Sequence, residues 1–369
     1  MQIFNRYFFF VAFFGWSEAQ RACNNSPLLC SQPYDTVTYL GAHDSPFLRD
    51  AASGFSSFGN QLLRTTTQLD AGVRLLSAQV HLASNNVTGK RELHLCHTTC
   101  ALFDAGPLRD WLIEVRMWMD TNTNDIITLL LVNTAGVDAR ELEGVYSEAD
   151  IARLGYVPPR IDQPPPLSNK TNPTWPTLNE MIDRNERLVS LVDPLMPDPA
   201  NAPYLLDQHT FTWENTYAVT DPANFTCSPD RPANQTMYGM LQSGRMFLMN
   251  HFLYWQQAFG IQTPDIRVVN DTNSWNSSGA LGVHMVDCAN QVTRQPAYVL
   301  VDFFNVGRAI ASVDVFNKVS NPVGRMSVSD QAPGEDTDIA MSAACRYSKV
   351  SLFVAATAFL VAAIMSGRL

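Results

Sequence analysis

The stretch Ile126-Ile127-Thr128-Leu129-Leu130-Leu131-Val132 lacks the alternation of apolar and polar side chains that a half-exposed strand shows, so a strand built from it is buried on both faces. Strands of that kind belong to parallel sheets, whose crossover segments lay helices over the sheet. Further β-type runs succeed one another along the chain: Thr36–Leu40, Val73–Leu82, Glu92–Cys96, Leu188–Val192, Met246–Met249 and Tyr298–Val301. Helix-like segments lie between them. Pro107 to Asp120 opens on proline and places Leu108, Trp111, Leu112, Val115 and Trp118 on one face. Leu178–Arg187 and Met237–Phe259 are also read as largely helical. Such alternation favours an α/β fold, a single (β/α) TIM-type barrel with room for irregularity, over a sandwich. The Pro-rich stretch from Tyr156 to Pro166 reads as an extended surface loop, with the barrel mouth as its expected place.

The two ends carry processing signals. Arg6, the apolar run from Tyr7 to Phe14 and Ser17-Glu18-Ala19 make residues 1–19 a secretory signal peptide. Residues 20–328 form the one expected domain, and 329–349 an acidic, polar linker. The apolar tail 350–369, behind the small residues Ser342-Ala343-Ala344, reads as a signal for glycosylphosphatidylinositol attachment, with a single C-terminal transmembrane helix as the alternative. Cleavage at the small residues removes Cys345 and leaves six of the seven cysteines. Cys23/Cys30 and Cys96/Cys100 are close enough to close local loops, which leaves Cys227 to join Cys288. Zinc is the competing reading of Cys96-His97-x2-Cys100, but it lacks a second ligand pair. Sequons at Asn24, Asn86, Asn169, Asn224, Asn234, Asn270 and Asn276 agree with a secreted glycoprotein. With 25 basic against 35 acidic residues, a net charge of −10 and no Lys/Arg block, nucleic acid is excluded as a partner.

Tyr39-Leu40-Gly41-Ala42-His43-Asp44-Ser45 ends a strand on a histidine and a carboxylate, where barrel enzymes keep their chemistry. A polar turn that happens to hold a histidine is the rival reading. Seven later segments tip the balance: Gln68-Leu69-Asp70-Ala71-Gly72-Val73-Arg74, Leu93-His94-Leu95-Cys96-His97, Leu108 to Asn133, Trp175-Pro176-Thr177-Leu178, Pro203 to Asp207, Trp213-Glu214 and Val299-Leu300-Val301-Asp302-Phe303-Phe304. In this order the segments resemble the X-type catalytic domain of phosphatidylinositol-specific phospholipases C and, more closely, secreted fungal PLC-like phosphodiesterases of the TIM-barrel superfamily, across most of Val37 to Asn317.

The resemblance implies general acid–base catalysis by two histidines. His43 would take the proton from the attacking hydroxyl and His97 would protonate the leaving group, with Asp44 and Asp302 as the carboxylates that orient and charge them. His94 competes with His97 for the second position, and His251 and His284 are read as structural. The resemblance also exposes departures. Bacterial relatives carry an Asp and an Arg on the second strand, and calcium-dependent ones a Glu and an Asp, where this chain has Ser77 and Gln79; Val132 stands about where bacterial enzymes carry a lysine. Gln79, Arg74, Trp213 and Glu214 are the candidate substrate contacts, with Lys90 a further cation. The competing reading of Trp213-Glu214 is a core-rim Trp beside a solvated Glu, and that of Arg74 a structural ion pair.

The expected function is hydrolysis of phosphoric diesters on phospholipid or glycolipid head groups by a monomer at the cell surface, held at the membrane by its C-terminal anchor. The alternative is a lapsed enzyme that binds lipid head groups or cell-wall glycans. No cofactor motif and no metal-ligand set is evident, and calcium or magnesium stays open.

Overall fold

The computed structural model describes residues 20–84, 89–169 and 171–330. The strands are β1 (Tyr39–Ala42), β2 (Leu75–Ser84), β3 (Arg91–Cys96), β4 (Asp104–Pro107), β5 (Ile127–Val132), β6 (Leu188–Asp193), β7 (Leu205–Asp207), β8 (Thr212–Glu214), β9 (Met246–Asn250), β10 (Tyr254–Gln256), β11 (Gln262–Pro264) and β12 (Tyr298–Val301). Eight of them pair in parallel in the order β7-β6-β5-β2-β1-β12-β9-β8. This is the α/β barrel that the sequence implies, in an open form. Among the described residues no ladder joins β7 to β8; the four-residue helix Gln208–Phe211 carries the chain between them. β3 and β4 extend β2 as an antiparallel flap, and β10–β11 is a separate hairpin.

Alternate residues of the parallel strands feed two cores, as the pleat requires. Leu40, Ala42, Leu76, Leu129, Trp213, Phe247 and Val299 pack outward against helical residues such as Leu112, Val115 and Met285. Tyr39, Leu75, Leu130, Leu191, Leu206, Leu248 and Leu300 come from strands that are not neighbours yet form one cluster, so they point into the barrel. Below them Tyr34 closes the foot, its hydroxyl 2.5 Å from Thr128 Oγ1 and 2.8 Å from Tyr298 Oη. Gly41 belongs to the inward set, where a Cβ would lie 2.7 Å from Leu75 Cδ2 and 2.8 Å from Leu300 Cδ1, so only glycine lets those two leucines meet across β1.

The helix at Leu108–Thr121 buries the apolar face read from its spacing. The disulfides Cys23–Cys30, Cys96–Cys100 and Cys227–Cys288 are the pairs expected from the cysteine positions. Three expectations are corrected. Met237–Phe259 is α-helical only over Met237–Gln242; it then enters β9 and the hairpin, where Trp255 and Phe259 have no core to face. The Pro-rich loop lies at the foot rather than the mouth, since it leads to Tyr156 N–H donating to Leu188 O at the start of β6 and to Pro165 beside Gly244, ahead of β9. Asn24 is a sequon in sequence only: its side chain is buried, with Oδ1 accepting from Ile126 N at 2.8 Å and Nδ2 enclosed, so no glycan fits there. Asn169, Asn224, Asn234, Asn270 and Asn276 are exposed. The signal peptide at 1–19, the sequon at Asn86 and the tail beyond 330 lie outside the described residues, among which no helix is long and apolar enough to cross a membrane.

Candidate active site

One step beyond the inward leucine layer, at the C-terminal ends of the strands, the same register turns polar. His43 comes after Gly41, Ser77 and Gln79 after Leu75, Asp193 after Leu191, Asn250 after Leu248 and Asp302 after Leu300. The strand pleat thus delivers a ring of polar groups to one end, the usual place for barrel chemistry.

His43 sits where β1 leaves the sheet, its N–H still bonded to Val301 O at 2.8 Å. Its Nδ1 lies 2.9 Å from Asp302 Oδ1, and Asn60 Nδ2 donates to the same oxygen at 2.9 Å. That contact assigns the proton to Nδ1 and turns the Nε2 lone pair toward the mouth. The ring stacks on Phe252 at 3.9 Å between centroids, and Gln61 Nε2 holds the His43 carbonyl at 2.8 Å. His97 lies between the bonded Cys96 and Cys100, so a five-residue loop leaves it little freedom. Phe47 meets its ring edge-on at 5.4 Å.

Asp44 stands between the two imidazoles. Its Oδ2 lies 3.7 Å from His43 Nε2 and 3.6 Å from His97 Nε2, and accepts from Gln79 Nε2 at 2.7 Å. Gln79 also accepts from Thr98 N at 2.8 Å, so one amide ties the aspartate to the His97 loop. Asp44 holds a left-handed backbone at φ 48°, an outlier that its amide bond to Ser77 Oγ at 2.7 Å helps to keep. The two histidines titrate in opposite directions. Burial works against charge on His43, but Asp44 and Asp302 outweigh it and raise its pKa. Burial lowers that of His97, and the positive His43 adds to this. Environments that push two bases apart are the usual mark of an acid–base pair.

The structure gathers His43, His97, Asp44, Asp302 and Gln79, keeps Glu214 at the edge of the same mouth, and separates Arg74, Trp213 and His94. Arg74 is buried at the foot, ahead of β2: Nε and Nη2 bind Asp125 Oδ1 at 3.1 and 2.7 Å, Nη1 binds the Leu69 and Val73 carbonyls, and Nη2 also binds Asn25. Every donor is used in holding the foot, so Arg74 is no substrate contact. Trp213 points outward and stacks on Phe247 at 4.1 Å, away from the mouth. Glu214, its neighbour, has the opposite parity and is buried beside Asn250 Nδ2 at 2.7 Å. His94 is spent on Asp104 and Glu92 at 3.0 and 3.1 Å. His251 and His284 face each other, Nδ1 to Nδ1 at 2.9 Å, under Phe225. Cys227, His284 and Cys288 come within 4.8 Å of one another, but both sulfurs are taken by their disulfide.

Residues missed at the sequence level complete the mouth. His81 shares the face of Ser77 and Gln79; burial lowers its pKa, Asp44 and His97 also act on it, and its Nε2 is buried without a partner among the described residues. The period-two spacing on β2 is the signal that points to it. Asn60 and Gln61 carry none, because a loop alone brings them to the ends of β1 and β12. A cleft of about 970 Å³ opens at the foot, between Thr36, Asn169, Arg245 and Ala297, remote from these groups.

The profile of the PI-PLC X family matches residues 29–317. A protein of Arthroderma benhamiae described as "PI-PLC X domain-containing protein 1" is 32% identical over 295 residues, covering 80% of this chain and 89% of that protein. A second protein of the same fungus, described as an "Uncharacterized secreted protein", is 30% identical over 305 residues, covering 82% of this chain and 64% of its own length. Among solved structures, the phosphatidylinositol-specific phospholipase C from Listeria monocytogenes shares the fold at a TM-score of 0.51 and 14% identity, over 82% of this chain and 99% of that one. With the matched region spanning the barrel from ahead of β1 to the last helix, this chain belongs to the PI-PLC X family.

Proposed function

We propose that the protein is a phosphoric diester hydrolase acting on lipid head groups, with His43 as general base and His97 as general acid. One observation carries the reading: two imidazoles with oppositely shifted titration face a single carboxylate oxygen at 3.7 and 3.6 Å. In an inositol lipid the ring 2-hydroxyl attacks phosphorus and gives its proton to His43 Nε2. The P–O bond to the diacylglycerol breaks, and its oxygen takes a proton from His97, leaving a cyclic phosphate. In other lipids water is the nucleophile. Asp302 stabilises the imidazolium formed on His43. A raised pKa makes His43 the stronger base and a lowered one makes protonated His97 the stronger acid. The reactive microstate is then the minority one, and rate against pH forms a bell whose limbs belong to the coupled pair.

A lipid substrate is favoured by the hairpin beside the mouth. Residues 254–264 carry no charge, Phe259 at the tip is fully exposed, and Trp255 and Ile261 are 41% and 44% exposed. Phe252, just before this hairpin, is the residue stacked on His43. An uncharged aromatic tip suits a lipid interface rather than an anionic surface reached by bulk charge.

The test is turnover of phosphatidylinositol and glycerophosphodiesters by protein from Gln20 to Val328, beside His43→Ala and His97→Ala, with calcium, magnesium or chelator. Activity lost in both variants supports the enzyme. Absence of turnover on every diester favours the lapsed binder, which the uncharged Ser77 and Gln79 would then explain. We also propose a cell-surface location through the C-terminal tail. Release from membranes by an enzyme that cuts glycosylphosphatidylinositol supports it, and release by detergent alone favours a transmembrane helix.

A further inference from the structure

A phosphodiester brings one negative charge into a mouth that already holds Asp44, Asp302, Asp193 and Glu214, and its transition state gathers more on the non-bridging oxygens. The second strand offers Ser77, Gln79 and His81, and burial lowers the pKa of His81, so none of the three is a standing cation. The charge has to be met from elsewhere.

We propose that Arg231 is the phosphate-binding cation of this site, supplied by the loop after β8 rather than by a strand. This rests on the phosphodiester reading and names the group that makes it electrostatically feasible. Arg231 is tied to the C-terminal end of β8 through its backbone, with Glu214 N donating to Arg231 O at 2.9 Å and Arg231 N to Glu214 O at 3.2 Å. Its side chain is held on two sides. Nε lies 2.8 Å from Glu214 Oε1, an ion pair whose N–H is not aligned on that oxygen as a hydrogen bond, and the guanidinium lies over Tyr217 at 4.4 Å. Glu214 is itself fixed by Asn250 Nδ2 at 2.7 Å and Gln208 Nε2 at 3.2 Å.

So placed, the guanidinium makes no side-chain hydrogen bond to protein among the described residues, while the side chain stays 35% exposed. A guanidinium whose position is fixed but whose N–H groups are unspent is suited to a bidentate oxyanion. The neighbouring arginines differ: Arg267 is spent on both oxygens of Asp265, and Arg49 donates to the Ser56 and Ser57 carbonyls. The charge of Arg231 also acts across the mouth, opposing protonation of His43 and favouring ionised Asp193.

The experiment compares wild type, Arg231→Ala, Arg231→Lys and His43→Ala by turnover of phosphatidylinositol and by calorimetric binding of inorganic phosphate and glycerol 3-phosphate. Expected are a loss of about 10²–10³-fold in kcat/KM for Arg231→Ala, partial recovery in Arg231→Lys, and rescue of the alanine variant by added guanidinium. Phosphate binding should vanish in Arg231→Ala and persist in His43→Ala. Should the alanine variant not fold, Arg231→Gln keeps the stem as far as Cδ and a polar end while removing the charge. Wild-type kcat/KM and phosphate affinity in a folded Arg231 variant overturn the proposal and leave the hydrolase reading intact. Arg231-dependent phosphate binding without turnover of any diester upholds the proposal and removes that reading. Neither binding nor turnover in the wild type removes both.

Discussion

Two histidine pairs lie at the same end of the barrel, joined by the adjacent residues His251 and Phe252, and they differ in one respect. His43 and His97 share Asp44, and His43 also has Asp302. Among the described residues His251 and His284 hydrogen-bond only to each other and to two backbone carbonyls, with Thr272 O 2.9 Å from His251 Nε2 and Thr226 O 3.3 Å from His284 Nε2, and Asp287 acts on His284 through its charge alone. These three contacts require three protons, while two neutral imidazoles carry two. Leaving the 3.3 Å contact without one satisfies the two shorter ones. Burial, reinforced for His251 by the charge His284 would carry, lowers its pKa to about 3, and burial lowers that of His284 to about 4. A buried imidazole stays protonatable near neutrality where a carboxylate offsets its desolvation; without one, burial keeps it neutral and it serves as a polar strut.

The largest effect expected from breaking this contrast is on turnover. His43→Ala or His97→Ala should each cost about 10²–10⁴-fold in kcat, and the double variant little more than the worse single one, because the two act as a unit. His284→Gln should lower the melting temperature while keeping the rate per folded molecule, measured as kcat against Tm.

Next in size is acid stability. The native state keeps His251 and His284 neutral to about 3 and about 4. Unfolded imidazoles take up protons near 6.5, so below that pH the unfolded chain binds more protons. Stability from this pair is therefore full above about pH 6.5 and falls toward pH 4 by about 1.4 kcal/mol per pH unit for each proton. His43 has the opposite sign, its contribution present below about 6.5 and lost as pH rises through its raised value. Urea midpoints measured from pH 4 to 8 should fall on the acid side, and His284→Gln should flatten that slope.

Removing one carboxylate is a smaller step. Asp302→Asn should lower kcat by about 10²-fold and move the alkaline limb of the pH–rate profile to lower pH, since one cause of the raised His43 titration is gone. An unmoved limb would argue that Asp44 alone holds the charge. The smallest effect is expected from Cys96→Ser with Cys100→Ser. Opening the loop should loosen His97 and reduce kcat about tenfold with KM nearly unchanged, whereas Cys23→Ser with Cys30→Ser, far from the mouth, should change stability only.

Much of this is legible in the chain. Strands β1, β2, β5, β6, β9 and β12 are readable because burial on both faces demands continuous apolar runs, and His43 and Asp302 because they succeed such runs, whereas His97, behind the flap strand β3, stands out through the family resemblance. β7 and β8, at three residues each, are too short to carry a period. The hairpin 254–264 misleads because Tyr254, Trp255, Phe259 and Ile261 imitate helical spacing, and local pattern cannot tell an exposed aromatic from a core one. Trp213 and Glu214 look like one contact in the sequence, but neighbours on a strand face opposite ways, which sends one to the outer core and the other to the mouth.

By itself the sequence determined the architecture and the disulfide pairs, since hydrophobic period and residue spacing are local properties, while its resemblance to a known family pointed to the histidine couple. Only the tertiary structure decided which groups surround that couple. Asn60, Gln61, His81 and Arg231 reach the mouth from segments far apart in the chain, and Arg74 is drawn away from it by Asp125 and the foot carbonyls. Electrostatic partnership depends on distances of a few ångström between such segments, and no spacing along the chain encodes them.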